Sequence, residues 1–367
     1  MKPFADIHGP VRRIVVLRAL MLGDTLCAVP ALRAIRRAWP EAHIALLGLL
    51  ASRELASRLP YVDEWIPFPG WPGLPEHPAD IGALPGFLAA MQGRGWDLAI
   101  QLHGSGQLTN PLVALLGARH CAGFHVDGGY GPDAALSCRW PEQGHEVQRL
   151  LALCRHLGLP VDSEALEFPL RPEDDAALRQ AWAGKDEGLP YACLHAGAQL
   201  PSRRWPLARF AAVAEGLHDH GLSVVLTGTA SEKPLVAGLS ELLAARGLPH
   251  VNLAGRTSLW TLGALLRGAR LLVCNDTGVS HIAAALKVPS VIVSCGSEAQ
   301  RWAPADSRLH RLLAKPAPCR PCAHAECPIG HPCATALEVP EVLHAVSELL
   351  ADTAPHKEIE CPAACAS

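Results

Sequence analysis

An aspartate follows the first apolar run of this chain. Residues 14–17 are Ile-Val-Val-Leu, and a short loop then leads to Gly23-Asp24-Thr25 and a second apolar stretch. A carboxylate between a buried strand and a helix start is suited to act as a general base. Asp and Thr also cap helix starts. The motif alone therefore leaves two roles open for Asp24, general base and helix cap.

A second polar turn, Asp276-Thr277-Gly278, follows the apolar residues 271–274. Gly278 permits a close backbone approach, and a helix start here would offer N–H groups and a positive dipole end to a diphosphate. Thr277 can add a hydroxyl, and His281, one turn further, can donate to a phosphate or ribose oxygen. Capping by Asp276 and a surface histidine at 281 are the alternatives.

Two adjacent arginines, Arg203 and Arg204, lie between a small-residue loop that ends at Ala198 and a predicted helix start at Pro206. Arginine suits phosphate recognition because its guanidinium is a planar fork of donors. We predict that one of them neutralises a leaving diphosphate. Ion pairs at the surface are the alternative.

Glu232 comes shortly after the strand predicted at residues 223–227. A carboxylate in this position can hydrogen-bond the vicinal hydroxyls of a ribose, as acidic residues do in dinucleotide sites. Capping of the following helix explains it equally well.

Four of the thirteen cysteines lie in one segment that is also rich in Pro and His. Their spacing is compatible with a tetrahedral structural site for zinc or iron, and free thiols in a surface loop are the alternative. The four candidate ligands are Cys319, Cys322, Cys327 and Cys333. Cysteines within apolar runs are expected to be small buried hydrophobes instead, namely Cys27, Cys154, Cys193 and Cys274.

The elements that must position these residues alternate between strand and helix patterns, which predicts an α/β protein built on parallel sheets. Composition places a domain boundary near residues 160–188. The predicted strands are 13–17, 43–47 and 97–102 in the first half, and 191–195, 223–227, 270–274 and 290–294 in the second. The predicted helices are 26–39, 206–217, 259–267, 278–286 and 337–350.

Length and composition limit the class of protein. The 367 residues are enough for two domains, and 49% hydrophobic with 18% charged residues is typical of a packed globular chain. A net charge of −3 gives no sign of nucleic-acid binding. The first residues lack the apolar stretch of a signal peptide, and no segment reaches about 18 apolar residues. We therefore expect a cytoplasmic protein whose membrane contact, if any, is peripheral.

Taken together, the motifs resemble those of glycosyltransferase family 9, the ADP-heptose:lipopolysaccharide heptosyltransferases, over about residues 13–345. The resemblance is specific in the order and spacing of its parts. These parts are Arg18 with Gly23-Asp24 and Pro30-Ala31-Leu32, His145 with Arg149-Leu150 and residues 157–160, the 195–198 loop with residues 203–206, and residues 276–278 with Ser280-His281.

This resemblance implies the GT-B fold, in which two Rossmann-like, doubly wound parallel-sheet domains face each other across a cleft. An acceptor-binding domain would cover residues 1–175. A nucleotide-sugar-binding domain would cover residues 176–345 and include the Cys-rich segment 319–333. Residues 346–367 would form a helix end and tail.

The resemblance also implies an inverting, metal-independent transfer of a heptose from ADP-heptose to a lipopolysaccharide core saccharide. Asp24 would be the general base, and Arg203 would stabilise the departing diphosphate. The absence of an Asp-x-Asp pair agrees with a reaction that needs no metal. The position of Arg203 is often lysine in the family, so charge is retained while reach differs.

The remaining donor contacts are carried over from the family. Glu232 and Thr257 would contact the nucleoside, and the other expected donor-binding residues are Ala198, Arg204, Asp276, Thr277, Gly278 and His281. For the acceptor we expect Arg18 and residues 103–107. Three alternatives remain: a transferase for another nucleotide sugar, a sugar-nucleotide epimerase or hydrolase without an acceptor, and a non-catalytic nucleotide-sugar-binding protein.

Overall fold

The computed structural model describes residues 10–182 and 189–353. By their contacts, the described residues divide into two compact units. The first unit contains the residues up to Pro172 together with Thr277–Leu286 and Glu298–Ala303. The second contains the described residues of Glu173–Asp276, Lys287–Ser297 and the chain from Pro304 to residue 353. Residues 354–367 of the predicted helix end and tail, and residues 183–188 of the predicted domain boundary, lie outside the described residues.

Twelve strands and thirteen helices are found in the described residues. The strands are β1 Arg13–Leu17, β2 His43–Gly48, β3 Glu64–Pro67, β4 Leu98–Gln101, β5 His120–His125, β6 Ser137–Arg139, β7 Tyr191–His195, β8 Ser223–Leu226, β9 His250–Asn252, β10 Leu271–Asn275, β11 Ser290–Ser294 and β12 His310–Ala314. The helices are α1 Leu22–Ala38, α2 Leu50–Ala56, α3 Leu84–Gln92, α4 Asn110–Leu115, α5 Glu146–His156, α6 Pro172–Trp182, α7 Leu207–Asp219, α8 Lys233–Ala245, α9 Leu259–Gly268, α10 Gly278–Ala285, α11 Ala299–Trp302, α12 Pro332–Thr335 and α13 Val339–Asp352. Two 3-10 turns cover Pro201–Arg203 and Ala230–Glu232.

The first unit is built on a parallel sheet with strand order β3-β2-β1-β4-β5-β6. Its central strand, β1, is apolar at nearly every position because helices cover both faces of such a sheet. Val15 pairs with Ala45 on one side and Ala99 on the other, and all three are fully buried in one core cluster.

The second unit repeats this arrangement with strand order β12-β11-β10-β7-β8-β9. Val273 pairs with Val291 and Leu194, and all three belong to the core cluster of this unit. The prediction of an α/β protein with two doubly wound parallel sheets is confirmed.

The strand order explains where chemistry can occur. In each sheet the first strand lies beside the fourth, and the chain leaves this pair toward opposite sides, which opens a crevice at the carboxyl ends of the two strands. Asp24 follows β1, and residues 103–107 follow β4. In the second unit the 195–198 loop follows β7, and Asp276 follows β10. The polar turns found in the sequence therefore lie at the strand ends that bind ligands in this type of sheet.

Most predicted elements are present with end shifts of one or two residues. The largest shift is at α1, which begins at Leu22 rather than at residue 26, so Asp24 lies inside the helix. The region of the predicted domain boundary, residues 160–188, contains a helix, α6, that begins at Pro172 and has three acidic residues in its first turn. Cys27, Cys154, Cys193 and Cys274 are buried as expected. Among the described residues, no helix has the length and apolarity needed to cross a membrane.

Candidate active site

Asp24 occupies the third position of α1, at the carboxyl end of β1. Its Oδ2 accepts a hydrogen bond of 3.2 Å from the backbone N–H of Met21, so the carboxylate helps to cap the helix. Its other oxygen, Oδ1, accepts no hydrogen bond from any residue that the structure describes. The capping role found here therefore occupies one oxygen and leaves the second one available.

Arg18 holds the backbone around Asp24. It follows β1 directly and is fully buried. Its Nε and Nη2 donate to the backbone oxygen of Asp24 at 3.1 and 2.9 Å, and its Nη1 donates to the backbone oxygen of Leu102 at 2.7 Å. The predicted contact of Arg18 with an acceptor is not supported, because its side chain has no exposed surface and donates within the protein. These hydrogen bonds instead position the first turn of α1.

Glu146, the first residue of α5, lies between two arginines. Its Oε1 accepts from Nη2 of Arg18 at 3.0 Å, and its Oε2 accepts from Nε of Arg301 at 2.7 Å. The side chains of Arg18 and Glu146 are both 0% exposed, whereas that of Arg301 is 24% exposed. Burial alone would raise the pKa of Glu146, but the two guanidiniums hold that pKa below its usual value.

His281 packs against α1 from α10, within the first unit. A Cβ placed on Gly23 would come within 2.7 Å of the imidazole Cδ2, which shows how closely the two helices approach. The Nδ1 of His281 lies 3.7 Å from the Cys27 thiol, and its ring packs edge-on against Trp302. The histidine is buried rather than at the surface, and it belongs to the group of side chains around Asp24.

The surroundings of Asp24 raise its pKa above the usual value. Desolvation is the main cause, because burial disfavours the charged carboxylate. Arg18, His281 and Arg301 oppose this effect, and the charge of Glu146 adds to it. A carboxylate with a raised pKa is a stronger base than an exposed aspartate, so the site favours proton acceptance.

Residues 103–107 lie at the end of β4 in the same unit. His103 is buried, its Nδ1 accepts from the backbone N–H of Ala19 at 3.3 Å, and its Nε2 lies 3.5 Å from Oε1 of Glu76. Gln107 is exposed at the end of this loop. His103 thus helps to hold the loop after β1, whereas Gln107 is accessible to a ligand.

In the second unit, Asn275 at the end of β10 fixes the loop that contains the predicted anion-binding residues. Its Oδ1 accepts from the backbone N–H of Trp205 at 3.0 Å, and its Nδ2 donates to the backbone oxygen of Ala196 at 2.8 Å. Arg204 donates to the backbone oxygen of Ala198 at 3.0 Å. The structure therefore brings the loop after β7 and the paired arginines together.

Asp276 is also held by its neighbours. Its carboxylate accepts a short hydrogen bond from Ser297, and the Oγ atoms of Ser297 and Ser294 lie 2.6 Å apart. Arg320 donates to the backbone oxygen of Ser297 at 2.6 Å and to that of Ser294 at 2.8 Å. Thr277, not Asp276, occupies the N-cap position of α10, so capping does not explain the aspartate.

Glu232 caps the turn in which it lies, and its contact with a ribose stays a prediction. Its Oε2 accepts from the backbone N–H and the hydroxyl of Thr229 at 2.8 and 2.9 Å, which caps the 3-10 turn. The carboxylate also lies against Gly197, where a Cβ would come within 2.0 Å of Oε1, and 3.9 Å from Nε2 of His195. Thr257 lies half-buried in the loop before α9, and its contact with a nucleoside stays a prediction.

Comparison with known proteins assigns the chain to a family. The family model "Glycosyltransferase family 9 (heptosyltransferase)" matches residues 87–332, which is well over half of the sequence. The chain belongs to glycosyltransferase family 9.

Similar proteins agree with this assignment. The chain is 29% identical to lipopolysaccharide heptosyltransferase 2 of Escherichia coli K12 over 297 residues, which is 76% of this chain and 81% of that protein. The crystal structure of the family 9 glycosyl transferase from Veillonella parvula has a TM-score of 0.76 at 21% identity, covering 94% of this chain and 98% of that one. The structure of E. coli ADP-heptose LPS heptosyltransferase II has a TM-score of 0.70 at 23% identity, covering 93% and 98%. The predicted GT-B fold class and the assignment as a glycosyltransferase are confirmed.

The described part of this family 9 glycosyltransferase does not support the metal site predicted at its cysteines. Among the residues that the structure describes, no group of three or more His, Cys, Asp or Glu side chains is placed to hold a metal ion. The predicted structural zinc or iron at Cys319, Cys322, Cys327 and Cys333 is therefore not supported. The segment is instead held by its backbone, because Cys322 donates its N–H to the oxygen of Gly296 at 2.6 Å and accepts from Arg203 at 3.3 Å.

Two charged residues of the transferase, Glu146 and Arg301, were missed by sequence analysis. Glu146 shares one face of α5 with Leu150 and Leu153, at spacings of four and seven residues, and all three are buried. An acidic residue on the apolar face of a helix is a signal that could have identified it, because buried carboxylates require partners. No comparable signal marks Arg301, which lies in the four-residue helix α11.

Proposed function

We propose that this glycosyltransferase moves a heptose from ADP-heptose to a lipopolysaccharide core saccharide, with inversion at the anomeric carbon and with Asp24 as general base. The name of the E. coli relative supports the heptose and the lipopolysaccharide acceptor, and that of the E. coli structure supports ADP-heptose. A lipid-linked acceptor makes peripheral contact with the inner membrane, on its cytoplasmic side, part of the proposal.

The reaction is a single displacement. The oxygen of an acceptor hydroxyl attacks the anomeric carbon of the heptose while the bond from that carbon to the diphosphate oxygen breaks. The hydroxyl proton passes to Asp24, and the bonding electrons leave with ADP. One carboxylate is sufficient, because inversion involves no covalent intermediate with the enzyme.

The available oxygen of Asp24 is the observation that carries this proposal. Oδ2 of Asp24 accepts a hydrogen bond from the backbone N–H of Met21, whereas Oδ1 accepts none from the described residues. Arg18 fixes the backbone of the aspartate through a hydrogen bond to its carbonyl oxygen. The raised pKa makes the carboxylate a better proton acceptor. The acceptor hydroxyl becomes more acidic as its oxygen bonds to the oxocarbenium-like carbon, so proton transfer can occur late.

Donor binding is proposed for the turns at the strand ends. Arg203 and Arg204 would balance the charge of the diphosphate, and the N–H of Gly278 with the hydroxyl of Thr277 would bind phosphate oxygens. Glu232 would bind the ribose hydroxyls. None of these steps requires a metal ion, so added chelator is expected to leave the transfer rate unchanged.

A donor screen tests the substrate assignment. Purified enzyme is incubated with ADP-, UDP- or GDP-sugars and lipopolysaccharide core that lacks its heptoses, and the mass of the product is measured by mass spectrometry. Transfer from ADP-heptose, with a mass gain of one heptose, is the expected result. Preference for a uridine donor would overturn the heptosyl assignment, and donor turnover without an acceptor would indicate an epimerase or hydrolase.

Substitution of the base tests the mechanism. Asp24→Asn keeps an oxygen that can accept from Met21 but removes the proton acceptor. Asp97→Asn is the matched control, because Asp97 accepts from the backbone of Arg12 and Arg13 at the amino end of the sheet. The transfer rate should fall in Asp24→Asn and should be unchanged in Asp97→Asn. Normal transfer by Asp24→Asn would exclude this aspartate as the base.

A further inference from the structure

Arg301 carries donors that the protein itself does not use. Its Nε donates a hydrogen bond of 2.7 Å to Oε2 of Glu146. Its guanidinium stacks on Trp302, and the distance from Cζ to the ring centroid is 4.6 Å. Its two terminal nitrogens donate to no residue in the described part of the chain. At 24% exposure, the side chain is accessible to a ligand.

The backbone of Arg301 is fixed as well as its side chain. Residues 298–303 are attached to the start of α5, where Nε2 of His145 donates to the backbone oxygen of Ala303. Arg149 lies 3.4 Å from the carboxylate of Glu298 at the other end of this segment. A guanidinium that is held at both its backbone and its Nε loses little further freedom when it binds an anion.

The charges around Glu146 leave Arg301 as the accessible cation. One carboxylate faces two guanidiniums, so one positive charge is in excess of what Glu146 balances. Arg18 is fully buried and directs its donors to Asp24, Leu102 and Glu146. Of the two cations, Arg301 is therefore the one that a ligand can reach, and it is close enough to Asp24 to affect the pKa of that carboxylate.

We propose that Arg301 binds an anionic oxygen of a substrate beside Asp24, and that Glu146 is the positioning residue that aims it. This inference rests on the proposed function, because it places the anion beside the proposed base. The anionic oxygen belongs either to the donor diphosphate or to an acidic group of the acceptor saccharide. The two sources share their chemistry and differ in which substrate loses affinity when Arg301 is changed.

The first experiment compares Arg301→Gln and Arg301→Lys with the unchanged enzyme. Binding of ADP, UDP, GDP and adenosine is measured by calorimetry, so whichever diphosphate the unchanged enzyme binds serves as the probe. If Arg301 binds the donor diphosphate, the glutamine variant weakens nucleoside diphosphate binding by about 10- to 100-fold and leaves adenosine binding unchanged. If it binds the acceptor, diphosphate binding is unchanged and the acceptor KM rises by a similar factor.

The lysine variant separates charge from shape. Lysine keeps the positive charge but loses the planar fork, so partial recovery of affinity is expected, between the glutamine variant and the unchanged enzyme. Unchanged diphosphate binding together with an unchanged acceptor KM in Arg301→Gln would refute the proposal.

The second experiment tests Glu146 as a positioning residue. Glu146→Gln keeps the shape of the side chain but removes its charge, so it should weaken binding of the same substrate as Arg301→Gln does. Four ionisable groups face Asp24, namely Arg18, Glu146, His281 and Arg301, and Glu146 is the one among them that raises its pKa. In Glu146→Gln the pKa of Asp24 should fall, so the decline of kcat on the acid side of its pH profile should move to lower pH. A purely structural role would leave this decline in place.

Controls separate this inference from the proposed function. Asp97→Asn removes another paired carboxylate of the same unit, remote from Asp24, and should change neither KM nor the pH profile. If Glu146→Gln does not fold, the Arg301 variants still decide the inference, because Arg301 is partly exposed. If Asp24→Asn retains full transfer while Arg301→Gln loses diphosphate affinity, the base assignment fails and the Arg301 site stands.

Discussion

The two units of the chain share one sheet topology but hold their functional residues in different ways. Around Asp24, buried side chains of opposite charge contact one another, as in the Arg18–Glu146–Arg301 group. Around Asp276 and the 195–205 loop, side chains bond mainly to the backbone, as Asn275 does with Trp205 and Ala196 and as Arg204 does with Ala198. The first arrangement adjusts the proton affinity of a carboxylate, and the second fixes loops whose N–H groups and arginines can face an anion.

This difference follows from the chemistry that each centre is proposed to perform. A general base needs a particular pKa, which buried charges can set because the low local dielectric strengthens their effect. An anion-binding loop needs fixed geometry, which hydrogen bonds to the backbone supply. We therefore expect substitutions near Asp24 to change kcat and its pH dependence, and substitutions near Asn275 to change the donor KM.

The largest effect is expected for Asp24→Asn. Loss of a general base typically costs about 10²- to 10⁴-fold in rate, so kcat should fall within that range while donor affinity stays within about twofold. Steady-state kinetics with saturating donor, together with calorimetric binding of ADP, measure both quantities. A parallel loss of affinity and rate would mean that Asp24 binds the donor and would remove the contrast between the units.

Asn275→Ala should produce the opposite pattern. Two buried backbone groups lose their partner, which costs about 1–3 kcal/mol each and loosens the 195–205 loop. The donor KM should rise by about tenfold or more, with a smaller change in kcat. Asn252→Ala is the matched control, because Asn252 caps the end of β9 through Ala254 in the same unit. A fall in kcat with an unchanged KM would contradict the loop-positioning role.

Gly23→Ala tests the close packing of α10 on α1. The added Cβ would lie 2.7 Å from the His281 ring and 3.3 Å from Cα of Gly278. Overpacking of this kind typically destabilises by about 1–3 kcal/mol, which thermal unfolding would detect, and transfer should fall as His281 moves. Gly86→Ala in α3 has no atom within 4 Å and should be neutral or stabilising. Equal unfolding temperatures for the two variants would show that the packing is looser than described.

The smallest effect concerns pH. Because the carboxylate must be ionised to accept a proton, kcat/KM should decline as pH falls through the raised pKa of Asp24, above the 3.8 of an ordinary aspartate. A pKa that is raised in the folded state also means that ionisation of Asp24 lowers the free energy of unfolding. Asp24→Asn should therefore be more stable than the unchanged protein near neutral pH. Denaturant unfolding at several pH values should show this advantage disappearing below the usual aspartate pKa.

The central parts of both sheets could be predicted because burial on two faces leaves an unmistakable apolar run. β1, β7 and β11 were predicted with the bounds that the structure has. Short edge strands were missed, since β6 and β9 have three residues each and carry polar side chains. The helix start at Leu22 was missed because apolar spacing begins at Leu26, whereas the first turn is defined by hydrogen bonds to Met21.

The candidate site was only partly predictable from the sequence. Asp24 and the Asp276 turn were found because each lies where a strand passes into a helix. The Glu146–Arg301 pair joins residues 155 positions apart, and no local pattern relates them. The cysteine spacing suggested a metal, but spacing fixes only the chain length between ligands and not the direction of each thiol.

The complete burial of Arg18 and Glu146 has a consequence for the ionic strength at which the enzyme can work. At ordinary salt, mobile ions screen surface charges that lie more than about 8–10 Å apart, but they have little access to a pair that is buried away from solvent. The support of Asp24 should therefore persist in concentrated salt, while the capture of a charged substrate from solution weakens. In a titration with sodium chloride, KM should rise well before kcat declines.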